Sequence, residues 1–234
     1  MRKITINLAA VAAFCIVVAS PALVSSSCAT PQTEQEDTTI IREDLGITAL
    51  KYSSPEVPSS IEFCGKVIDL SRFDRHERMD RELLAFTYMH STSLQMLKKA
   101  NRYFPIVEPI LKENGIPDDF KYLMVIESNM NPTARSSAGA AGLWQFMQGT
   151  GRDYGLEVNN NVDERYHIEK ATRAACRYLK DAYAKYKDWV AVAASYNAGQ
   201  ARIASQLAKQ DVDDSLDLQL VEETARYVYR ILAA

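Results

Sequence analysis

The stretch that decides the fold is VIESNMNPTARSSAGAAGLWQFM, residues 125–147, which begins with a glutamate at the end of an apolar segment. Phe120, Leu123 and Met124 lie on one side of a predicted helix, and Glu127 falls on that side at helical spacing. The other side is also apolar, and such a helix belongs in a core. Burial would raise the pKa of this carboxyl group, as a general acid near neutral pH requires. The alternative is a glutamate that merely ends its helix and points into solvent.

Length and composition indicate a globular protein. The 234 residues allow one domain of ordinary size with additional segments, and 47% hydrophobic with 24% charged residues is typical of a folded chain. Without Arg2 and Lys3, which we expect to be removed with the N-terminus, 25 of the 27 basic residues remain against 30 acidic ones, a formal charge of −5. This balance argues against nucleic acid as a partner, because polyanion binding needs a concentrated basic patch. A carbohydrate partner remains open.

The N-terminus predicts export. A short basic start precedes an apolar run over residues 4–19, and small residues lead to Cys28. We predict an export signal over residues 1–28, with an uncleaved anchor helix as the alternative. The site resembles a bacterial lipobox, although Ser25 stands where leucine is usual. We therefore expect a lipid on Cys28, with a soluble secreted form as the alternative.

Residues 29–60 predict a flexible tether. Residues 30–39 are polar and acidic, and residues 52–60 are rich in proline and serine. Such segments bury too little apolar surface to offset the entropy of ordering. The alternative is a disordered leader with no spatial role. The folded domain is then expected over residues 61–234.

From residue 61 onward the sequence predicts a mainly α domain without a strand. Apolar spacing favours helices over residues 83–100, 105–115, 117–127, 169–187, 189–199, 200–209 and 222–233. Pro105 and Pro109 are expected to bracket the second of these helices, and Gly115 to end it. Pro117 is expected at the first position of the helix that carries Glu127.

The remaining cysteines and the histidines predict no metal chemistry. Cys64 and Cys176 could pair in an exported protein or remain isolated buried thiols, and sequence does not decide between the two. The three histidines, His76, His90 and His167, lack ligand spacing with any cysteine. We therefore expect no metal site and no cofactor.

Four motifs, in order, resemble the catalytic domain of the soluble lytic transglycosylase family. They are Glu127-Ser128 with Ser136, GAAGLWQFM at 139–147, SYNAG at 195–199 and ETARYV at 223–228. NNNVDER at 159–165 is similar to the membrane-bound transglycosylase D branch, here without the LysM repeats that many of its members carry. One motif would be weak, whereas four in order are specific.

The resemblance implies a goose-type, lysozyme-like helical domain with a substrate groove. It implies cleavage of the β-1,4 bond between N-acetylmuramic acid and N-acetylglucosamine, with a 1,6-anhydromuramic end as product. Glu127 is implied as the catalytic acid and base. The implied substrate contacts are Ser136, Gln145, Met147, Tyr196, Asn197, Glu223 and Tyr227. The implied partners are peptidoglycan glycan strands, in the bacterial cell envelope, with the membrane reached through a lipid on Cys28.

A single glutamate suits this chemistry better than hydrolysis does. Ordinary glycosidases use two carboxylates, whereas ring closure by the sugar's own C6 hydroxyl needs one group that first gives and then takes a proton. Asp163 and Glu164 could supply a second carboxylate, but capping of the following helix is the simpler role. Two alternatives remain: a muramidase that uses water, and a catalytically silent glycan-binding lipoprotein.

Several of these residues also have a purely structural interpretation. Gly139 and Gly142 could be simple turn glycines. Core packing or helix capping is the alternative for Trp144, Phe146, Met147, Tyr196 and Asn197.

Overall fold

The computed structural model describes residues 54–212 and 214–234. The predicted export signal, Cys28 and most of the predicted tether lie outside these residues. The elements are, in order, β1 (Ser60–Phe63), β2 (Lys66–Asp69), α1 (Phe73–Tyr88), α2 (His90–Glu113), α3 (Lys121–Ser128), α4 (Gln148–Asp153), α5 (Ile168–Tyr186), α6 (Trp189–Ala198), α7 (Gln200–Lys209) and α8 (Glu222–Ala233). The predicted mainly α class is confirmed. Within the described ranges, no helix combines the length and the apolar character that a membrane crossing requires.

The expectation of no strand was wrong, because β1 and β2 form an antiparallel hairpin with Phe63 opposite Lys66. Cys64 and Gly65 join the strands with φ of 53° and 80°, the backbone that a tight two-residue hairpin turn requires. Each strand has four residues, so its alternation is too short to stand out in the sequence. Packing against the core stabilises this short hairpin, since Phe63 and Ile68 are both buried there.

The helices predicted over residues 83–100 and 105–115 were also wrong in their bounds. α1 ends at Tyr88, and α2 then runs without interruption through Pro105 and Pro109. Both prolines are exposed, and the carbonyl groups that lose an N–H partner belong to exposed residues, Asn101 and Pro105 itself. Water can therefore replace the missing bonds. Gly115, with φ of 65°, follows the end of α2 as predicted.

The helix that carries Glu127 lies at the centre of the fold. Pro117 stands just before a short 3-10 turn, Asp118–Phe120, which leads into α3. Pro117 was predicted at the first position of the helix, whereas it lies one residue before the 3-10 turn, so the correction to its position is small. Phe120, Leu123 and Met124 are completely buried, and α3 packs against α2 and α8. The prediction that this apolar segment lies in the core is therefore confirmed.

Two further helices, α5 and α6, complete the core behind α3. Ala171, Ala174 and Ala175 of α5 are buried, and small side chains of this kind let helices approach closely. α6 is buried over its first seven residues apart from Trp189. The Asp188 side chain accepts a hydrogen bond from Val190 N at 2.9 Å, which caps α6 at its N-terminus.

Both described cysteines have free thiols. Of the two alternatives, isolated thiols are therefore correct. Cys176 is completely buried, and burial raises the pKa of its thiol to about 11. Cys64 lies in the hairpin turn, where burial and the nearby Asp119 carboxylate raise its thiol pKa well above the ordinary range. Neither thiol is activated for chemistry at neutral pH.

Candidate active site

Glu127 lies in the last turn of α3 and contacts the C-terminal helix. The Tyr227 hydroxyl, on α8, donates a hydrogen bond of 2.5 Å to Glu127 Oε1. Asn129 follows with φ of 49°, a left-handed conformation that ends the helix. Tyr227 is buried, whereas Glu127 keeps part of its surface accessible. The Glu127 carboxyl group is therefore positioned by the Tyr227 hydroxyl and remains partly accessible to solvent.

The pKa of Glu127 is raised from 4.5 to about 7, mainly by burial of the carboxyl group. The hydrogen bond from Tyr227 and the charge of Arg230 lower this pKa, and the charge of Glu223 raises it. Burial outweighs the two opposing effects. At neutral pH the group is therefore partly protonated, so it can both give and accept a proton.

A loop formed by residues 134–147, here called the glycine loop, packs against the end of α3. The Ser128 hydroxyl lies 2.9 Å from Leu143 O and can donate to it. From α6, the Tyr196 hydroxyl donates to Trp144 O at 2.8 Å. The Trp144 indole donates in turn to Thr172 Oγ1 of α5 at 2.9 Å. Three helices therefore hold this irregular loop beside Glu127, which explains the need for a serine after the glutamate.

A buried arginine holds the other side of the glycine loop. Arg165 is 1% exposed, and its Nη1 donates to Gly139 O at 2.8 Å and to Phe146 O at 2.9 Å. Asp163 accepts from its Nε and Nη2 at 2.8 and 2.6 Å, which balances the buried charge. Sequence reasoning missed Arg165 as a site residue. The available signal was the Asp-x-Arg pair inside NNNVDER.

The structure gives Asp163 and Glu164 structural roles. Asp163 caps the short 3-10 turn Glu164–Tyr166, not α5 itself, and also pairs with Arg165. Glu164 accepts a hydrogen bond from Glu157 N at 2.8 Å and pairs with Lys170. Both carboxylates are already engaged by cations and backbone N–H groups.

Three predicted substrate contacts lie on the glycine loop. Gln145 has φ of 49°, and its Nε2 donates to Gly142 O at 2.8 Å and to Ala134 O at 3.2 Å. Ser136 is exposed, and its Oγ accepts a hydrogen bond from Ala140 N at 3.0 Å. Met147 is 46% exposed, so core packing is excluded for it, whereas Trp144 and Phe146 are core residues.

Two predicted contacts lie at the end of α6. The Tyr196 ring packs edge-on against Tyr178 at a centroid distance of 5.1 Å, and burial with the charge of Glu127 raises its pKa well above 10. Asn197 Oδ1 accepts a hydrogen bond of 2.8 Å from Thr224 Oγ1 on α8. Asn197 therefore ties α6 to the helix that carries Tyr227. Gly199 ends α6 with φ of 85°.

α8 presents three functional groups at helical spacing. Glu223 is exposed, Tyr227 follows one turn later, and Arg230 follows after another. All three act on Glu127, Tyr227 by its hydrogen bond and the other two by charge. Sequence reasoning missed Arg230, although its spacing from Tyr227 was available as a signal.

The structure brings some of the predicted residues together and keeps others apart. Glu127, Tyr196 and Tyr227 form one cluster, joined by the hydrogen bond and by mutual charge effects on pKa. Ser136 and Met147 lie on the exposed part of the glycine loop, and the described structure gives them no hydrogen bond to this cluster. No group of three or more His, Cys, Asp or Glu residues suited to a metal ion occurs in the described ranges.

Comparison with known proteins finds similarity to transglycosylases. Residues 105–217 match the family model of the transglycosylase SLT domain. Membrane-bound lytic murein transglycosylase D of Escherichia coli K12 is 31% identical over 162 residues, covering 67% of this chain and 35% of that protein. Peptidoglycan transglycosylase gp16 of Escherichia phage T7 is 31% identical over 123 residues, covering 51% of this chain and 9% of that protein.

A solved structure is similar as well. An inactive mutant of the lytic transglycosylase Slt from Pseudomonas aeruginosa is 23% identical, with a TM-score of 0.47, and the match covers 55% of this chain and 22% of that chain. The chain spans about a third of the length of the Escherichia coli relative, 35%.

Proposed function

Because the chain belongs to the transglycosylase SLT domain family, we propose that it cleaves the β-1,4 bond between N-acetylmuramic acid and N-acetylglucosamine in peptidoglycan and leaves a 1,6-anhydromuramic end. One observation carries the proposal. Glu127 is a carboxyl group with a pKa of about 7, held by Tyr227 and reachable from outside. A group that is partly protonated at neutral pH can serve both proton-transfer steps of this reaction.

The proposed mechanism needs one carboxyl group. Glu127 gives its proton to the glycosidic oxygen, and the C1–O bond breaks as N-acetylglucosamine leaves. The resulting carboxylate takes the proton of the C6 hydroxyl on the N-acetylmuramic acid. The C6 oxygen then bonds to C1, which closes the anhydro ring and restores the protonated Glu127. The nucleophile belongs to the substrate itself, so its attack is intramolecular and no water is consumed.

The neighbouring residues would orient and enclose the sugar. The Tyr227 hydroxyl occupies Glu127 Oε1 and so directs the other carboxyl oxygen towards the substrate. Tyr196 and Asn197 would form one wall, and Ser136, Gln145 and Met147 of the glycine loop the other. In support, Gln145 is held by two backbone carbonyl groups and Met147 offers an exposed apolar surface to a sugar face. Glu223 would lie at the edge of the floor formed by α8.

Analysis of the products tests this function. Purified peptidoglycan is digested with the protein, and the soluble fragments are separated and weighed. Lytic cleavage gives anhydro-muropeptides that are lighter by one water than the hydrolysis products and have no reducing end. Reducing ends would select the muramidase alternative. Binding to cell walls without any soluble fragment would select the silent glycan-binding protein.

Tyr227→Phe is expected to move the pH dependence of activity to higher pH. The hydrogen bond from Tyr227 lowers the pKa of Glu127, so its loss raises this pKa further, and the acid keeps its proton to higher pH. The rate at the optimum should fall roughly tenfold or more, because Oε1 loses the donor that orients it. Initial rates of peptidoglycan release across pH check both effects.

Tyr229→Phe is the matched control for this variant. Tyr229 is equally buried on the same helix, and in the described structure its hydroxyl has no hydrogen-bond partner. The pH profile of activity of Tyr229→Phe should match that of the native protein. Equal profiles for the two variants would contradict a role for the Tyr227 hydroxyl.

Glu223→Gln is expected to move the pH profile the opposite way. The Glu223 charge raises the pKa of Glu127, so removing it lowers this pKa, and activity is lost at lower pH as the acid deprotonates. Because Glu223 is the carboxylate whose charge reaches Glu127, the variant also tests the muramidase alternative. In the proposed mechanism the products remain anhydro sugars. A native protein that forms reducing ends and a variant that forms none would identify Glu223 as a base for water.

For location, we propose that the chain works in the bacterial cell envelope, with residues 1–28 as export signal, a lipid on Cys28, a tether over residues 29–60 and the catalytic domain over residues 61–234. The similarity to membrane-bound transglycosylases of Escherichia coli and Haemophilus ducreyi supports an envelope location. Labelling of cells with a radioactive fatty acid tests the lipid. Label should appear on the native chain and be absent from Cys28→Ser.

A further inference from the structure

α2 exposes two large apolar side chains near its N-terminal end. Leu94 is 63% exposed and Leu97 is 66% exposed, and they lie one turn apart. Met89, just before α2, is a further exposed apolar residue. Single exposed leucines are common, but contiguous ones that adjoin a cavity indicate an interaction surface.

Such a cavity adjoins Leu97. It has a volume of about 390 Å³ and lies between the end of α1, α2, α3 and the end of α8. Phe86, Phe104, Tyr122 and Val125 are among its lining residues. The side chains that line it carry no charge, and most are apolar, so the surface continues from the exposed leucines into a mainly apolar recess.

The opposite flank of Leu94 is basic. Lys98 and Arg102 are exposed and follow Leu94 at one and two helical turns. Lys99, between them, donates to Asn129 O at 2.9 Å. The sequence from residue 90 to residue 107 contains no aspartate or glutamate, although the whole chain is acidic. Two exposed basic side chains therefore lie beside the apolar surface, with no acidic residue in this stretch of α2.

We propose that the surface formed by Leu94, Leu97, Lys98 and Arg102, here called the α2 patch, docks on a membrane that contains anionic lipids. Leu94 and Leu97 enter the boundary between headgroups and acyl chains, and the two basic side chains contact lipid phosphates. An apolar edge beside a basic flank is the arrangement that binds such interfaces. The basic flank favours an anionic partner over an uncharged one.

The position of the α2 patch also suits the proposed function, although the membrane-docking proposal does not depend on that function. Tyr122 and Val125 of α3 face the cavity beside the patch, and Glu127 lies roughly 170° away from their mean direction at about 100° per residue. The groove and the cavity therefore lie on opposite faces of α3. A domain docked through the α2 patch would present Glu127 away from the lipid, towards the cell wall.

Depth-dependent quenching tests the proposal. The full chain is reconstituted into vesicles of phosphatidylethanolamine and phosphatidylglycerol with brominated acyl chains, once as Leu94→Trp and once as Phe73→Trp. Phe73 is 80% exposed at the far end of α1 and serves as the matched control. The native tryptophans and any N-terminal anchor are common to both variants. Bromine should quench the tryptophan at position 94 and leave the one at position 73 unquenched.

A second pair of measurements separates lipid from other occupants. Adding Lys98→Glu and Arg102→Glu to Leu94→Trp should weaken quenching, with the partition of the patch onto lipid reduced on the order of tenfold. Leu94→Trp without the charge changes should show the same loss of quenching in vesicles of phosphatidylcholine alone. Equal quenching at positions 73 and 94 would overturn the proposal, and so would equal quenching in neutral and anionic vesicles. Dimerisation that depends on Leu94, without quenching, would assign the patch to a second copy and also overturn it.

Discussion

Glu127→Gln is expected to lower the release of anhydro-muropeptides at least roughly a thousandfold, because the amide can neither protonate the glycosidic oxygen nor take the proton of the C6 hydroxyl. Gln has almost the same shape and can still accept the hydrogen bond from Tyr227, so the groove should remain intact. The measurement is product formation from purified peptidoglycan at pH 6, with mass spectrometric detection. Turnover within tenfold of native would remove Glu127 from its role.

The same variant makes a prediction about stability with a defined sign. Glu127 has a folded-state pKa of about 7 against an ordinary 4.5, so its stabilising effect is complete below pH 4.5 and is lost as the pH rises through 7. Glutamine does not ionise. Glu127→Gln should therefore gain on the order of 3 kcal/mol in free energy of unfolding above pH 7, and little below pH 4.5. Urea unfolding at pH 4 and pH 8 measures the difference.

Glu77→Gln is the matched control for both measurements. Glu77 is an exposed glutamate of α1, far along the chain from the groove residues. Its substitution should leave product formation unchanged and give the same stability difference between pH 4 and pH 8 as in the native chain. If Glu127→Gln lost stability at both pH values, its inactivity would reflect a damaged fold and would say nothing about acid catalysis.

Gly142→Ala is expected to destabilise the domain on the order of 4 kcal/mol. A Cβ atom at Gly142 would lie 1.9 Å from Arg165 O and 2.8 Å from Arg165 C, which are backbone atoms and cannot turn aside. Gly142 also has a φ of 79°, and alanine would be strained in this left-handed backbone conformation. The glycine loop would have to move away from the turn that carries Arg165, which displaces Gln145 and Ser136. Urea unfolding measures the loss, and peptidoglycan digestion should fall with it.

Gly139→Ala isolates the effect of the overlap. Gly139 lies in the same loop with φ of 92°, but a Cβ atom there would meet nothing within 4 Å. This variant carries the backbone strain alone, roughly 1–2 kcal/mol. Equal stability losses for the two variants would show that backbone strain, and not contact with Arg165, explains the glycine at position 142.

Sequence reasoning succeeded where a feature depends on interactions between residues that are close in the sequence. The helix before Glu127, the helix α5 and the last helix depend on spacing within a few turns, and each was predicted as a helix. The hairpin at Cys64-Gly65 was missed, since four-residue strands carry too little pattern. α2 was divided wrongly at Pro105 and Pro109 because proline signals a break, whereas exposed prolines leave their unpaired carbonyl groups to water.

The sequence by itself determined the class of fold, the acid on its apolar helix and the motifs that mark the family, since all of these depend on residue type and local spacing. Only the tertiary structure decided what surrounds that acid. The bond from Tyr227 to Glu127 joins residues 100 positions apart, and Arg165 reaches Gly139 across 26 positions. Such contacts arise when whole helices pack and remove water from the carboxyl group, and that burial sets its pKa near 7.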